Sequence, residues 1–415
     1  MKNFKLLKSA CYVSNVSMSV IANLSPILFL TFRNLYGISF SLLGALVLIN
    51  FFTQLLVDLV FSFFSHKFNI TVTVRIMPVL ATVGLLIYAA APIILPDAVY
   101  LGLVLGTIVF SAASGLNEVL LSPMIAAIPS ENPDHEMSKL HSVYAWGVVG
   151  VVIFATLFLL IFDNAWQLLT VAFAVIPVIA GVLFVISEIP DMQTEEQESG
   201  AVGFMKNKGV WIAVLAIFLG GATECTMSQW ASGYLEQALG VPKVWGDIFG
   251  VAMFAAALGF GRTLYAKIGK LPSRTVFLGA IGSAVCYAVA IFSPFAVVGL
   301  IACALTGFCA SMLWPGNIII SSEKYPKGGV VLFAMMAAGG DMGASVGPQL
   351  VGIVADLVAA APGAVAFADR ISVSADVLGM KAGMIVGLLF ALCAIPLYYA
   401  FYREEKKKKN KSEVR

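Results

Sequence analysis

Long apolar stretches, each close to the length of a membrane-crossing helix, alternate along this chain with short polar segments. A helix needs about 20 apolar residues to cross the hydrocarbon layer, whereas a membrane strand alternates over about ten residues. The continuous apolar character predicts an all-α membrane protein. We expect twelve transmembrane helices, at 9–31, 40–64, 76–96, 99–125, 138–162, 165–187, 209–235, 245–267, 274–293, 296–320, 329–358 and 381–402.

The composition excludes a soluble globule. Of the 415 residues, 60% are hydrophobic and 12% are charged, whereas a soluble domain carries about 25% charged residues. This deficit argues against a cytosolic enzyme, a nucleic-acid-binding protein and a disordered scaffold, so we expect the lipid bilayer as partner and no nucleic acid. The six cysteines lie in apolar stretches without a CxxC pair, which predicts neither disulfides nor a metal site.

The basic residues are distributed unevenly between the two sides of the predicted topology. With the N-terminus in the cytoplasm, twenty of the 25 Lys and Arg residues fall on the inner side and four on the outer side. Cytoplasmic loops carry the excess of Lys and Arg. The sequence therefore predicts a multi-pass protein of the cell membrane with both termini cytoplasmic.

A polar, acidic segment between spans six and seven divides the chain into halves. We predict an N-terminal six-helix bundle at 1–187, a cytoplasmic linker at 188–208, a C-terminal six-helix bundle at 209–402 and a basic cytoplasmic tail at 403–415. Ser114-Gly115 and Pro123 recur 192 residues later as Thr306-Gly307 and Pro315, which indicates that the halves are repeats. Transporters built from such halves bind substrate near the membrane midplane where the repeats meet.

The 6+6 layout and the acidic linker resemble the major facilitator superfamily, a family of secondary transporters. The resemblance includes a Gly-rich, basic turn after the second span of the second half: Gly259-Phe260-Gly261-Arg262, then Lys267. The matching turn of the first half departs from the pattern. The resemblance predicts a cytoplasmic gate formed by Gly259, Gly261, Arg262 and Lys267. In this gate Arg262 pairs with acids such as Glu323 when the inner side closes. The alternative to a gate function is that Arg262 only extends its charged end to the membrane–water interface.

A narrower resemblance is to the fucose:proton symporter family. It rests on Leu116-Asn117-Glu118 with Pro123, on Gly221-Ala222-Thr223-Glu224 with Trp230 and Tyr234, and on Trp146-Gly147. The last match puts Tyr144 at the polar position where that family contacts sugar. The family's first-span aspartate falls at Pro26 here, beside Asn23 and Ser25, so the resemblance implies altered sugar recognition or a different solute.

Four acidic residues lie well within predicted spans, away from the span ends: Asp58, Glu118, Glu224 and Asp341. A charged side chain at the centre of a span raises the free energy of membrane insertion by roughly 2.5–3.5 kcal/mol. Arg262 is their only basic counterpart near the membrane interior, so full ionisation is expensive and we expect proton uptake and release. Glu118 is the first candidate for proton coupling. A carboxyl that only holds neighbouring helices together is the alternative for each.

Polar and aromatic residues in the spans supply the candidate substrate contacts. Asn50, Gln54 and Asp58, spaced i, i+4 and i+8, share one helix face that either lines the pathway or forms a polar seam with span eleven, where Asp341 lies. The remaining positions are equally open to inter-helix contacts. The predicted substrate-binding set is Asn23, Asn50, Gln54, Asn117, Glu118, Tyr144, Trp146, Glu224, Gln229, Trp230, Trp314 and Asn317.

The chain lacks a GxxxxGK[ST] loop and an HExxH motif, so the sequence predicts no ATPase, no enzyme, no metal and no cofactor. We predict a monomeric secondary transporter that works by alternating access and couples protons to uptake of a small polar solute such as a sugar. A proton-antiport exporter of drugs or another metabolite is the first alternative, and sodium is an alternative coupling ion. A non-transporting receptor or a lipid scramblase is the alternative of a different class.

Overall fold

A computed structural model of the protein describes residues 4–64, 67–130, 133–190, 207–269, 271–326 and 329–413. Within these ranges the chain is helical, and twelve helices are long and apolar enough to cross a membrane, as predicted. The helices, α1–α12, are Lys5–Tyr36, Phe40–Phe64, Ile70–Ile94, Pro96–Ala126, Pro133–Ile161, Trp166–Ile186, Lys208–Leu239, Lys243–Ile268, Pro272–Phe292, Ala296–Lys324, Gly329–Ala360 and Ala375–Glu413.

Several of these helices differ from the simple apolar runs. The first turn of α4, Pro96–Ala98, is a 3₁₀ turn, and a short helix, Pro362–Arg370, links α11 to α12. α10 is interrupted between Ala310 and Pro315, whereas α4 continues through Pro123 to Ala126. α4 and α10, which carry the repeated motif predicted from the sequence, therefore differ at their prolines. At Pro123 the backbone stays helical although the proline cannot donate to the Val119 carbonyl.

The chain divides into two compact units. The N-terminal unit comprises Met1–Ile38 and Leu46–Glu196, and the C-terminal unit comprises Ser39–Ala45 and Gln197–Arg415. The linker predicted at 188–208 lies outside the described residues except at its two ends. The tail predicted at 403–415 continues the last helix as far as Glu413.

Two glycines set the close approach of α3 and α4 in the N-terminal unit. A Cβ atom on Gly84 would lie 2.9 Å from the carbonyl oxygen of Gly106, and one on Gly106 would lie 2.9 Å from the carbonyl oxygen of Gly84. Both distances are to backbone, which cannot rotate away as a side chain could. The pair thus depends on small residues, as membrane helix packing commonly does.

The N-terminal ends of α1 and α5 are joined by a small charged cluster. Lys8 Nζ lies 2.6 Å from Glu136 Oε1, and the Tyr12 hydroxyl donates to Glu136 Oε2 at 3.0 Å. Glu136 precedes the apolar part of its helix, which begins at Ser142. The hydrogen bond from Lys8 lowers the pKa of the Glu136 carboxyl, with partial burial opposing it and Tyr12 adding to it.

We expect Glu136→Gln to lower the apparent melting temperature in detergent at pH 7, and the difference from wild type to shrink as the pH is lowered below the ordinary Glu value. A lowered pKa contributes stability above the ordinary Glu value of about 4.3, and that stability disappears as the pH falls through the lowered value. The pair is partly exposed, so the effect is at most about 1 kcal/mol. Lys8→Gln should give the same loss, and the double variant no further loss. Additive losses would contradict the pairing.

Tyrosine hydroxyls hold the helices of the C-terminal unit together. Each donates to a backbone carbonyl of another helix at 2.8 Å: Tyr234 to Ala290, Tyr287 to Thr223, and Tyr398 to Ala216. All three tyrosines are fully buried. Each bond therefore satisfies a polar group that burial would otherwise leave without a partner.

The first turn of α2 belongs to the C-terminal unit because a carboxylate of α11 caps it. Asp356 accepts from the Phe40 N–H at 3.0 Å and from the Ser41 N–H at 2.6 Å. These amides have no partner within their own helix, and a negative charge at a helix N-terminus is stabilising. The cap explains why residues 39–45 group with the second half of the chain.

α8 contains a π-helical stretch, Gly246–Ala252. Asp247 within it is fully buried, accepts a hydrogen bond from the Ser232 hydroxyl of α7 and lies 3.1 Å from Lys243 Nζ. The buried carboxylate thus has both a hydroxyl donor and an ammonium partner. These contacts attach the irregular stretch to α7.

Candidate functional site

A polar ladder connects α2 and α4 in the N-terminal unit. The Ser111 hydroxyl donates to Asn50 Oδ1 at 2.6 Å, and the Ser114 hydroxyl donates to Gln54 Oε1 at 3.0 Å. Gln54 Nε2 also donates to Asn50 Oδ1 at 3.0 Å. Asn50 and Gln54 share the face predicted from their spacing, and the hydrogen bonds of that face are with α4. Both amides are buried, so helix packing accounts for them better than substrate contact.

The ladder ends at two carboxyl groups, Asp58 and Glu118. A carboxylate oxygen of each lies within 4.8 Å of the other. A Cβ atom on Gly115 would lie 3.1 Å from Asp58 Oδ1, so this glycine leaves room for the aspartate beside α4. Asp58 Oδ1 is buried and has no hydrogen-bond partner among the described residues. Such a pair can share a proton or hold a small cation.

Glu118 lies on the face of α4 that meets α2, not on its apolar outer stripe. It follows Ser114 by one turn and Ser111 by two, and these spacings put the three side chains on one face. The exposed apolar residues Leu101 and Leu105 lie on a different face. The Glu118 side chain is itself exposed. An ionisable group at this depth is expected to reach an aqueous space.

Two other predicted site residues of the N-terminal unit have their hydrogen bonds outside the ladder and the Asp58–Glu118 pair. Asn117 is buried and accepts from the Ser14 hydroxyl at 2.6 Å, and Asn23 donates to the Ser19 carbonyl of its own helix at 2.8 Å. Both contacts favour packing. Tyr144 is half-buried, and Trp146 is 71% exposed. The ladder partners Ser111 and Ser114 were absent from the predicted set because serine is common in membrane helices.

A cluster around Arg262 occupies the C-terminal unit. Arg262 Nη2 lies 3.2 Å from Glu224 Oε1 of α7, and Arg262 Nε donates to the carbonyl of Ser311 at 3.1 Å. Glu224 Oε2 is buried and has no hydrogen-bond partner among the described residues. The prediction was that Arg262 pairs with acids such as Glu323 when the cytoplasmic side closes, and the acid that it pairs with in this structure is Glu224. The sequence indicated both residues but not their pairing.

Trp230, one of the predicted substrate contacts, lies in the packed interior of the C-terminal unit. Its side chain is fully buried, its Nε1 donates to the Pro348 carbonyl at 2.8 Å, and its ring packs edge-on against Phe40. With its donor already bonded and its ring covered, the indole is a packing residue. Gln229, one position earlier, is also buried.

Trp314 and Asn317 flank the interruption of α10. The Trp314 ring is half-buried and packs against Gly221 of α7 and Gly340 of α11. A Cβ atom would lie 3.1 Å from the ring if added to Gly221, and 2.5 Å from the ring if added to Gly340. Asn317 is buried, and its Nδ2 donates to the Tyr398 hydroxyl at 2.9 Å. Trp314 therefore lies at the bend, whereas Asn317 packs against α12.

The remaining candidates are placed as follows. Asp341 is buried in the middle of α11, and its backbone carbonyl accepts from the Ser345 hydroxyl at 2.7 Å. Gly261 is buried because α8 passes close to Ser311: a Cβ atom there would lie 2.7 Å from the Ser311 Cβ. Gly259 is half-buried and Lys267 is exposed. The gate function of these α8 residues stays a prediction.

Comparisons with known proteins agree with this architecture. The sequence matches the family model of the Major Facilitator Superfamily over residues 10–348. A search of curated protein sequences gives no significant match.

Solved structures with a similar fold include three transporters. One is a bacterial homolog of the human lysosomal transporter Spinster, with 12% identity, 96% coverage of both chains and a TM-score of 0.75. A D-xylose-proton symporter has 16% identity, 94% coverage of this chain, 96% of its own and a TM-score of 0.69. A variant of the E. coli fucose:proton symporter has 14% identity, 95% and 99% coverage and a TM-score of 0.57.

These identities establish the fold alone, and the fucose:proton symporter expected from the sequence motifs is among the similar folds. The family match extends over most of the chain, and the twelve apolar helices agree with it. The chain belongs to the major facilitator superfamily of membrane transporters.

Proposed function

We propose that this protein is a monomeric proton-coupled symporter of the cell membrane, with both termini cytoplasmic, that takes up a small polar solute such as a sugar by alternating access. The observation that carries the proposal is the Asp58–Glu118 pair, whose carboxylate oxygens lie within 4.8 Å. Among the described residues of the N-terminal unit, no basic side chain forms an ion pair with either acid.

Electrostatics explains why such a pair suits proton coupling. Two unit charges 4.8 Å apart repel by about 3.5 kcal/mol at an effective dielectric constant of about 20. One proton on the pair removes this repulsion, so the singly protonated state is favoured. A carboxyl that is loaded from one side of the membrane and emptied to the other converts a proton gradient into solute accumulation.

The sugar assignment rests on the chemistry of the accessible candidates and on the similar folds. Trp146 offers an exposed ring on α5, and rings suit the apolar faces of a sugar while polar groups suit its hydroxyls. Tyr144, two residues earlier, lies on a different face of the same helix. Symporters of D-xylose and fucose have similar folds. The buried amides of Asn50, Gln54 and Asn117 are left out of this proposed contact set because they serve helix packing.

Uptake of labelled solutes into proteoliposomes tests the proposal. With a panel of pentoses and hexoses, we expect an inward proton gradient to raise accumulation of one of them about tenfold over liposomes without a gradient. Protein-free liposomes and liposomes with an inward sodium gradient serve as controls. Stimulation by sodium alone would contradict proton coupling. Accumulation of solute that requires an outward proton gradient, so that protons leave the liposomes as solute enters, would support the alternative of a proton-antiport exporter.

A further inference from the structure

The interruption of α10 leaves a backbone carbonyl that its own helix cannot satisfy. Pro315 has no N–H, so it cannot donate to the carbonyl of Ser311, four residues before it. α10 stops at Ala310 and resumes at Pro315. A freed carbonyl at membrane depth needs a donor from elsewhere. Here Arg262 Nε of α8 donates to it at 3.1 Å.

The same guanidinium also binds a carboxylate. Arg262 Nη2 lies 3.2 Å from Glu224 Oε1, so one rigid, planar group joins the bend of α10 to an acid of α7. The absence of a side chain on Gly261 permits this approach, because a Cβ atom there would meet the Ser311 side chain. The Arg262 side chain is 41% exposed, and that of Glu224 is 13% exposed. The arginine therefore has room to move once its partner is lost.

We propose that Arg262 is a positioning residue that couples the charge of Glu224 to the bend of α10. When Glu224 is ionised, the ion pair holds the guanidinium against the Ser311 carbonyl. When Glu224 accepts a proton, the charge attraction is lost, Arg262 leaves, and the freed carbonyl makes the bend rearrange. The proposal rests on the proposed proton-coupled function, to which it adds a route from a carboxyl to a movable part of the helix.

The charged and titratable groups near this pair are few among the described residues. Arg262 reaches Glu224 from α8. Asp341 of α11 follows Gly340, whose carbonyl oxygen would lie 2.7 Å from a Cβ atom on Gly221 of α7, one turn before Glu224 and its neighbour Cys225. Asp341 is negative when ionised and so cannot replace Arg262 as a donor to Ser311. The link between the acid and the bend consequently runs through the arginine.

Trp314 supplies a spectroscopic probe, because its ring lies within the interruption and packs against Gly221 and Gly340. We suggest labelling the full-length protein with 5-fluorotryptophan and assigning the Trp314 ¹⁹F resonance with Trp314→Phe. Glu224→Gln mimics the protonated acid, and Arg262→Lys keeps the charge but lacks the planar fork. We expect both variants to move the Trp314 resonance in the same direction by more than its line width. Arg274→Lys, an exposed position on α9, should leave it in place.

Pro315→Ala provides the decisive control. The new N–H can donate to the Ser311 carbonyl and replace the bond from Arg262. In this background, Glu224→Gln and Arg262→Lys should no longer move the Trp314 resonance. An unmoved resonance in Glu224→Gln with Pro315 present, or a shift that persists in the Pro315→Ala background, would overturn the proposal. The Trp314 resonance is measured without a proton gradient in both backgrounds. A failure of proton-driven uptake would therefore reject the proposed function without deciding the role of Arg262.

Discussion

Glu118→Gln is expected to abolish gradient-driven solute accumulation while leaving exchange of solute across the membrane close to the wild-type rate. Glutamine has the shape of protonated glutamate but cannot release a proton. The binding-competent form therefore persists, and the step that returns an empty, deprotonated carrier is blocked. In proteoliposomes, accumulation under an inward proton gradient should fall about tenfold or more, whereas counterflow of labelled solute should change less than about twofold.

Asp97→Asn is the matched control, because Asp97 is an exposed acid in the 3₁₀ turn at the start of α4, away from Asp58. It should retain both activities. Wild-type accumulation in Glu118→Gln would remove the basis for assigning proton coupling to this carboxyl. Loss of exchange together with accumulation would instead identify Glu118 as essential for solute binding.

Gly84→Ala is expected to give a large loss of stability. The added methyl carbon would lie 2.9 Å from the Gly106 carbonyl oxygen and 2.8 Å from the Phe110 Cβ, so α3 and α4 must separate. Overpacking of this kind costs about 1–3 kcal/mol and more where backbone has to shift. The apparent melting temperature in detergent should fall by several degrees or more, and the yield of folded protein should fall with it.

Gly150→Ala tests whether the loss comes from the contact and not from glycine as such. Gly150 lies in α5, and a Cβ atom there would meet nothing within 4 Å. Alanine is favoured over glycine in a helix by roughly 0.5–1 kcal/mol, so this variant should be neutral or slightly more stable. A Gly84→Ala protein as stable as Gly150→Ala would show that α3 and α4 are packed less closely than described.

The number and approximate positions of the helices could be predicted from the sequence because hydrophobic length is a strong constraint in a bilayer. Their ends could not, since the apolar part marks the membrane and not the helix. α12 runs from Ala375 to Glu413, although the apolar run ends near residue 402. Glutamate and lysine are good helix formers, so the backbone continues into the polar segment. Glu404 then pairs with Lys324 at 2.7 Å.

The candidate residues were easier to predict than their partners. The spacing of Asn50, Gln54 and Asp58 correctly placed them on one face, because helical periodicity is a local property. The identity of the facing helix is a tertiary property, and the structure gives α4 for the two amides. Trp230 shows the converse problem, since a motif containing an aromatic residue does not distinguish a ring that meets solute from one that fills the core.

The π-helical stretch Gly246–Ala252 determines where α8 can lose a residue. A π turn holds more residues than an α turn, so removing one residue there would convert the stretch to regular helix. The segment that follows would keep nearly the same rotational phase, because the π turn absorbs one residue that an α turn does not hold. Loss of a residue from the regular helix between Ala252 and Arg262 is not absorbed in this way and would rotate Arg262 by about 100° about the helix axis, away from Glu224 and Ser311. The π-helical stretch is therefore the part of α8 that can lose a residue, whereas the regular helix after it cannot change in length without moving the arginine.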